Sequence, residues 1–308
     1  MSPSAEISAL YRLAGQTICI VPQLPALQPF LAKDQIIPTR DKSTKLEKMA
    51  IKHPSIKADG WLGDQVSTVL LWWDKKGILL EIPKAGRFWI ANAGDTIIRV
   101  SSPFITDNTF MGEALQGPPL VLALALGGRW CLHASAASFQ NKGIVFLGES
   151  GNGKSTIAAY LDEAGKPGWQ RIADDILPVS LGEGGLTGWT HFPQLKLPAE
   201  NQPSVHLPET ILFDHIYLLD PDDSAISPKL KQLSTDETVR VLLGNTAGSR
   251  LFTPELLAGH LAFCAQAARH VPGYRLSYAH QRELLPVVKE LLEQSLKQDK
   301  LQDIRKQL

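Results

Sequence analysis

The feature that most constrains this chain is a glycine-rich segment of eight residues near the middle of the sequence. The segment fits the pattern G-x-x-x-x-G-K-[ST]. Its residues are Gly148, Glu149, Ser150, Gly151, Asn152, Gly153, Lys154 and Ser155. An apolar run at residues 144–147 precedes it, and an amphipathic run at residues 155–163 follows it. A strand, a glycine-rich loop and a helix in this order are typical of a phosphate-binding P-loop.

Each residue type in the segment suits phosphate binding. Glycines let the backbone turn tightly, so that successive N–H groups point at phosphate oxygens, and the start of the following helix adds partial positive charge. Lys154 is placed to reach the β- and γ-phosphates, and the hydroxyl of Ser155 to bind Mg²⁺. Thr156 completes the predicted nucleotide-binding segment. The alternative interpretation is a glycine-rich turn that caps a helix and binds nothing.

Three further side chains are candidates for the chemistry. Asp174 and Asp175 follow an extended run, and carboxylates there can accept a proton from an incoming hydroxyl or hold Mg²⁺. Adjacent residues of a strand point to opposite faces, so both can serve one site only if a turn or bulge interrupts the strand. His133 lies on the strand predicted before the P-loop strand. The alternatives are a turn or capping pair for the aspartates and a structural role for the histidine.

Composition excludes several classes of protein. Lysine and arginine total 31, and aspartate and glutamate total 31, which argues against a broad nucleic-acid-binding surface. Cys19, Cys131 and Cys264 are too scattered for a disulfide framework or a zinc site. The longest apolar run, residues 118–126, is far shorter than the ~20 residues of a membrane helix, and no signal peptide is recognised. We therefore expect a cytoplasmic protein that binds neither nucleic acid nor a membrane.

The chain of 308 residues is long enough for two domains at about 100–200 residues each. We predict a β-rich N-terminal domain over residues 1–105, a P-loop catalytic domain over 106–297 and a charged tail over 298–308. In the first domain, runs rich in β-branched and aromatic residues at 66–73, 77–82, 87–91 and 96–100 predict an antiparallel meander. Residues 36–59 are polar and read as a loop or helix face. Within them, Lys42, Lys45 and Lys48 form either a solvated surface or a docking patch for an acidic partner.

The remainder predicts an α/β fold. Helices are predicted at 118–126, 155–163 and 285–296, with two more beginning at the capping box Ser234-Thr-Asp-Glu237 and at Thr253-Pro254. Strands are predicted at 130–139, 144–147, 171–179, 215–219 and 274–278.

Three segments carry a family resemblance. They are Leu132-His-Ala-Ser-Ala136, the run from Val145 to Thr156, and Ile172-Ala-Asp-Asp175. Together they resemble the bacterial HPr kinase/phosphorylase, and Phe192-Pro-Gln-Leu-Lys-Leu197, Val271–Leu276 and the early run from Leu10 to Leu27 resemble its relatives. The glutamate-containing stretch and the C-terminal helix motif of the true HPr kinase/phosphorylases are not found. The chain therefore looks more like the related kinases that phosphorylate a serine of a ribosomally made precursor peptide.

The resemblance implies a P-loop catalytic domain of the type shared with phosphoenolpyruvate carboxykinase, preceded by a β-rich domain. It implies transfer of the γ-phosphoryl group of ATP to a serine hydroxyl, with Mg²⁺. Carried over by position, Asp174 is the proton acceptor, and His133 borders the transferred phosphate. Asp175 supports Mg²⁺ and the phosphates, as Ser155 does.

The sequence thus predicts an ATP-dependent serine kinase whose partner is a peptide or small protein, with a homo-oligomer as one possible assembly. Two other functions stay open. The first is a kinase of a small molecule such as free serine, which a closed pocket rather than a long groove would favour. The second is a nucleotide-binding regulator without phosphoryl transfer, against which the intact aspartate pair argues.

Overall fold

The computed structural model describes residues 7–38, 53–62, 65–100, 108–194 and 207–307. Lys42, Lys45, Lys48 and residues 195–197 of the family-like segment lie outside these ranges. By their contacts, the residues form two compact units. The first comprises Met1–Cys131 and Gly248–Ala258, and the second comprises Leu132–Ala247 and Gly259–Leu308. In the ranges described, the chain is mixed α/β with two sheets, and none of its helices is both long and apolar enough to span a membrane.

The first unit contains an eight-stranded sheet with the order β3-β1-β2-β8-β7-β6-β5-β4. Its strands are β1 (Ile7–Leu13), β2 (Gln16–Val21), β3 (Leu31–Pro38), β4 (Ile56–Leu62), β5 (Gln65–Asp74), β6 (Gly77–Ile82), β7 (Gly86–Ala91) and β8 (Thr96–Val100). Neighbours pair antiparallel except β2 and β8, which are parallel. The predicted meander is confirmed as β5 to β8.

The polar segment at residues 36–59 was expected to be a loop or helix face, and this is wrong at both of its ends. Strand β3 extends to Pro38, and β4 begins at Ile56. In β4 the half-buried Ile56 and Ala58 alternate with the exposed Lys57 and Asp59. A strand with one face in solvent alternates apolar and polar or charged residues. This alternation contains no continuous apolar run, so a search for apolar runs does not detect the strand.

Two helices of the first unit follow its sheet, α1 (Asn108–Gln116) and α2 (Pro118–Leu126). The backbone of α2 lies very close to the turn before β8. A Cβ on Gly94 would stand 2.1 Å from the carbonyl oxygen of Ala123, and the φ of Gly94 is +71°. Gln16 donates from Nε2 to the carbonyl oxygen of Gly94, at 2.9 Å. The contacts therefore group α1 and α2 with the first sheet, while the domain boundary expected at residue 105 stays a prediction.

The second unit is built on a seven-stranded sheet with the order β10-β9-β11-β12-β13-β15-β14. Its strands are β9 (Trp130–Phe139), β10 (Lys142–Leu147), β11 (Trp169–Gly182), β12 (Gly185–Trp189), β13 (Thr210–Pro221), β14 (Lys229–Gln232) and β15 (Gly273–Tyr278). Strand β10 also pairs with β13, which closes the first five strands into a ring. Strands β10, β13 and β15 run parallel, so their carboxyl ends meet at one edge.

Four helices complete the described part of this region, namely α3 (Lys154–Ala164), α4 (Thr235–Gly244), α5 (Pro254–His270) and α6 (Leu285–Gln307). At the start of α4 the predicted capping box is confirmed. The amide of Glu237 donates to Ser234 Oγ at 3.2 Å, and the amide of Ser234 donates to Glu237 Oε2 at 2.8 Å. These hydrogen bonds lower the pKa of Glu237.

Helix α3 is held in place by an apolar cluster. Its buried Ile157 and Leu161 pack in one cluster with Val288 and Leu292 of α6. Helix α6 continues past residue 296, where the predicted helix ends, to Gln307, and so includes most of the predicted charged tail. Lysine, glutamine and leucine are frequent in that segment, and all three favour helix.

Because Leu292 is fully buried in the cluster that supports α3, Leu292→Ala should lower the free energy of unfolding by about 2–5 kcal/mol. Val287 on the same helix is 42% exposed, so Val287→Ala should change it by no more than about 0.5 kcal/mol. Urea denaturation of both variants checks this. Equal effects would contradict the packing of α6 on α3.

Candidate functional site

The predicted P-loop lies between β10 and α3, at the edge where the parallel strands end. Ile144 to Leu147 of β10 are fully buried, which fixes the start of the loop. Gly148, Gly151 and Gly153 all have positive φ, of +142°, +90° and +83°. Such angles are unfavourable for residues with a side chain. The two glycines of the sequence pattern, Gly148 and Gly153, and the additional Gly151 are therefore the positions at which the backbone turns.

Lys154 is the first residue of α3, and its side chain turns back into the loop. The residue is only 7% exposed. Its Nζ donates to the carbonyl oxygens of Gly148 at 2.7 Å and Glu149 at 2.9 Å. Ser155 and Thr156, in the same first turn of the helix, are exposed. The loop thus holds a buried ammonium group beside two accessible hydroxyl groups.

Two side chains from distant parts of the sequence and one side chain of the loop itself hold the loop in shape. Asn245, which follows α4, accepts a hydrogen bond from the amide of Gly148 at 3.0 Å. Asn152 donates to the carbonyl oxygen of Leu219 at 3.1 Å, and Tyr278 Oη donates to the carbonyl oxygen of Asn152 at 2.6 Å. Burial raises the pKa of Tyr278 to about 12, so its hydroxyl remains a donor at neutral pH.

Asp174, on β11, is brought against the P-loop. Its Oδ1 accepts hydrogen bonds from Ser155 Oγ at 2.6 Å and Ser135 Oγ at 2.7 Å. Its Oδ2 pairs with Arg171 Nη2 at 2.6 Å, and its amide donates to Gln194 Oε1 at 2.7 Å. The residue is 4% exposed. The carboxylate is therefore surrounded by donors and has little access to solvent.

Asp175 has a backbone conformation that is unusual for a strand. Its φ is +84°, in the left-handed region, although β11 runs without interruption from Trp169 to Gly182. This irregularity disturbs the regular alternation of side chains, which the sequence analysis required for both aspartates to reach one site. Asp175 Oδ1 lies 3.4 Å from His133 Nε2, and the Asp175 side chain is 20% exposed against 6% for Asp174. Of the two carboxylates, Asp175 is the one that a second substrate can approach.

The oxygens near the loop suit Mg²⁺. A serine hydroxyl and a carboxylate are the hard oxygen ligands that Mg²⁺ takes when substrate phosphates and water supply the rest. The resemblance implies that Ser155 and Asp175 hold Mg²⁺. In the structure, however, the hydroxyl of Ser155 donates a hydrogen bond to Asp174. Across the described ranges, no group of three or more His, Cys, Asp or Glu side chains could hold a metal ion.

A cavity of about 760 Å³ opens beside the first half of the loop, within the range of small-molecule sites. It is lined by His133, Gly148–Ser150, the end of β13 at Leu218–Pro221, Gly244–Ala247 and Arg275. Arg275 Nη1 lies 3.1 Å from Asp220 Oδ2. His133, whose Nε2 lies 3.4 Å from Asp175, thus faces a space next to the glycine-rich loop.

Sequence reasoning missed three partners of Asp174. Ser135 lies two residues after His133, and residues two apart on a strand share a face. This spacing was a usable signal for Ser135. Arg171 precedes Asp174 by three residues in β11, and Gln194 comes from the segment after β12. No short-range pattern marks either of them, because their roles depend on the tertiary fold.

No protein-family model matches the chain, and a comparison with curated proteins finds no match. Among solved structures, the chain is similar to the Hpr(Ser) kinase/phosphatase from Coxiella burnetii, with 13% sequence identity and a TM-score of 0.35. The similarity covers 57% of this chain and 96% of that chain.

Lys154 carries the only positive charge in the described loop. Lys154→Ala should therefore weaken binding of ATP with Mg²⁺ about tenfold or more, because charged hydrogen bonds contribute about 1.5–3 kcal/mol. Calorimetric titration measures this, and circular dichroism checks the fold. Lys166 is a matched control, since its side chain is 69% exposed, and Lys166→Ala should bind as the wild type does. A folded Lys154→Ala variant with normal affinity would rule out the phosphate-binding role.

Proposed function

We propose that the chain is an ATP- and Mg²⁺-dependent serine kinase that acts on a peptide or small protein. The hydrogen bond from Ser155 to Asp174 carries this proposal. It joins the P-loop to the aspartate pair, which lies on a different strand. A P-loop alone indicates only nucleotide binding, whereas a P-loop with an adjacent carboxylate pair has the parts needed for phosphoryl transfer.

Phosphoryl transfer demands positioning and charge neutralisation more than covalent chemistry. Lys154 supplies a buried positive charge, and the amides of the glycine-rich turn and the first turn of α3 supply partial ones. Bound Mg²⁺ would neutralise charge on the phosphates. Ser155 and Asp174 would hold it, Asp174 directly or through water.

The contacts favour an assignment of the two aspartates opposite to the one that the resemblance implies. Both oxygens of Asp174 are engaged, by two serine hydroxyls and an arginine, which suits a residue that orders Ser155. Asp175 is more exposed and borders His133, which lines the large cavity. We therefore assign the proton-accepting role to Asp175.

In the proposed reaction, the serine oxygen forms a bond to the γ-phosphorus. The bond between that phosphorus and the oxygen bridging it to the β-phosphate breaks, and ADP leaves. The hydroxyl proton passes to the carboxylate of Asp175. His133 lies close enough to Asp175 to orient that carboxylate and borders the space in which the transferred group would lie.

The choice of acceptor is supported by two observations. The sequence segments around His133, the P-loop and the aspartates resemble kinases that act on serine hydroxyls. The cavity of about 760 Å³ lies in the middle of the range for sites that hold drug-sized ligands, and it has room for a peptide side chain together with neighbouring atoms. A kinase of free serine is the competing function.

The two aspartate variants should have different kinetic defects. Asp175→Asn should bind ATP with Mg²⁺ normally and lose about 10²–10⁴-fold in kcat, as is usual when a general base is removed. Asp174→Asn should need a higher Mg²⁺ concentration for half-maximal rate, because its carboxylate orders Ser155. Magnesium titrations of kcat and KM for both variants measure this. The opposite result, with the Mg²⁺ defect in Asp175→Asn, would restore the assignment implied by the resemblance.

Radiolabelled ATP, Mg²⁺ and a peptide library test the function itself. The library carries serine at internal or C-terminal positions, with threonine and tyrosine versions as controls and free L-serine as a separate reaction. We expect label in serine peptides, absent with Lys154→Ala. Label in free serine alone would favour the small-molecule kinase. ATP binding without transfer to any acceptor would contradict a kinase and favour a regulator.

A further inference from the structure

A second, smaller cavity lies at the other end of the P-loop. Its volume is about 190 Å³. It is lined by Gly153, Thr156 and Ile157 on one side and by Tyr278, His280 and Arg282 on the other, with Gln281 and Leu285. It shares no lining residue with the larger cavity. The loop therefore runs between two spaces, the larger at its first residues and the smaller at its last.

The sheet topology explains why this cavity faces the loop. Strands β10, β13 and β15 are parallel, and ligands of parallel sheets bind beyond the carboxyl ends of the strands. The P-loop follows β10 at that edge, and the segment from Ala279 to Arg282 follows β15 at the same edge. Asp174, in contrast, comes from β11, which is reached from β10 through β9 on the other side. The strand order thus places the aspartates and the small cavity on opposite sides of the loop.

The walls of the cavity are suited to a flat ring. Ile157 and Leu285 are buried apolar side chains, whereas His280 and Arg282 are exposed. Tyr278 is fixed by its hydrogen bond to the loop, and the ring of His280 stands 6.2 Å from it at 82°. Imidazole and guanidinium groups offer planar faces on which nucleobases stack.

His280 also lies close to the loop. A Cβ on Gly153 would come within 2.5 Å of Tyr278 Oη and 3.2 Å of His280 Nε2. Only glycine leaves room for both side chains at this point. Gly153 therefore serves two purposes, since its positive φ turns the loop and its lack of a side chain lets the segment after β15 approach it.

From these observations we infer that the small cavity binds the base of the nucleoside triphosphate, an inference that rests on the proposed function. The γ-phosphate belongs at the end of the loop that faces His133 and Asp175, so the nucleoside extends from the opposite end, past Thr156. The volume of about 190 Å³ is below the range of about 300–1,000 Å³ for drug-sized ligands. It suits a single base, with the phosphates lying along the loop outside it.

The test compares two probes that differ only in the nucleoside, ATP and inorganic tripolyphosphate. Both are titrated calorimetrically with Mg²⁺ present. His280→Ala should weaken ATP about tenfold or more, the usual effect of removing one stacking side chain. Its affinity for tripolyphosphate should equal that of the wild type, and this second measurement also proves that the variant is folded. His280→Phe keeps a flat ring and should recover most of the affinity for ATP.

His270 is the matched control. It is an exposed histidine at the end of α5 and lines neither cavity, so His270→Ala should bind both probes as the wild type does. Unchanged ATP affinity in His280→Ala, or an equal loss for both probes, would overturn the nucleoside site while leaving the phosphate loop intact. A wild-type protein that binds neither probe would instead overturn the proposed function, and this inference with it.

Discussion

The carboxylate of Asp174 is the interaction on which the rest of the site depends. A charge that is 4% exposed is costly unless it is paired and hydrogen-bonded, and this one is satisfied by Ser135 from β9, Ser155 from α3 and Arg171 from its own strand. The carboxylate of Asp174 thus connects the helix after the P-loop, the strand with His133 and the strand with the aspartates at one point, in addition to their packing and sheet pairing.

The pairing of strands in the five-stranded ring determines which groups lie on each side of the P-loop. Pairing of β10 with both β9 and β13 puts the P-loop between a side that carries His133, Ser135 and the aspartates and a side that carries the ends of β13 and β15. In the proposed reaction the transferred group would lie in the large cavity, which His133, the end of β13 and Arg275 of β15 line together, and the base would lie in the small cavity at the last residues of the loop. The two cavities would then orient a nucleotide along the loop in one sense.

Local patterns predicted the elements well, and tertiary pairings poorly. The strand β10 and the helix α3 on either side of the glycine-rich segment, α2, β9 and the capping box at Ser234 follow from spacing and residue type over a few positions, and the structure confirms them. The sequence also pointed to the aspartate pair and to an irregular backbone there; Asp175 has a positive φ, and the role of the pair stays a prediction. Arg171, Gln194 and Asn245 were not found, because an ordinary polar residue acquires its partner only when distant strands meet. Short β12 and β14 were missed for the same reason, since their pairing rather than their composition makes them strands.

The position of Lys154 has a consequence for the energetics of binding. Its ammonium group is already stripped of most of its water and held by two carbonyl oxygens of its own loop. Dehydration of this cation and loss of its side-chain entropy occur during folding. When an anion binds, the ammonium group therefore exchanges carbonyl oxygens of the protein for oxygens of the anion. The loop is in this sense preorganised. Under the proposed function, its selectivity for phosphate would come from a competition between two kinds of oxygen ligand rather than from a competition with bulk water.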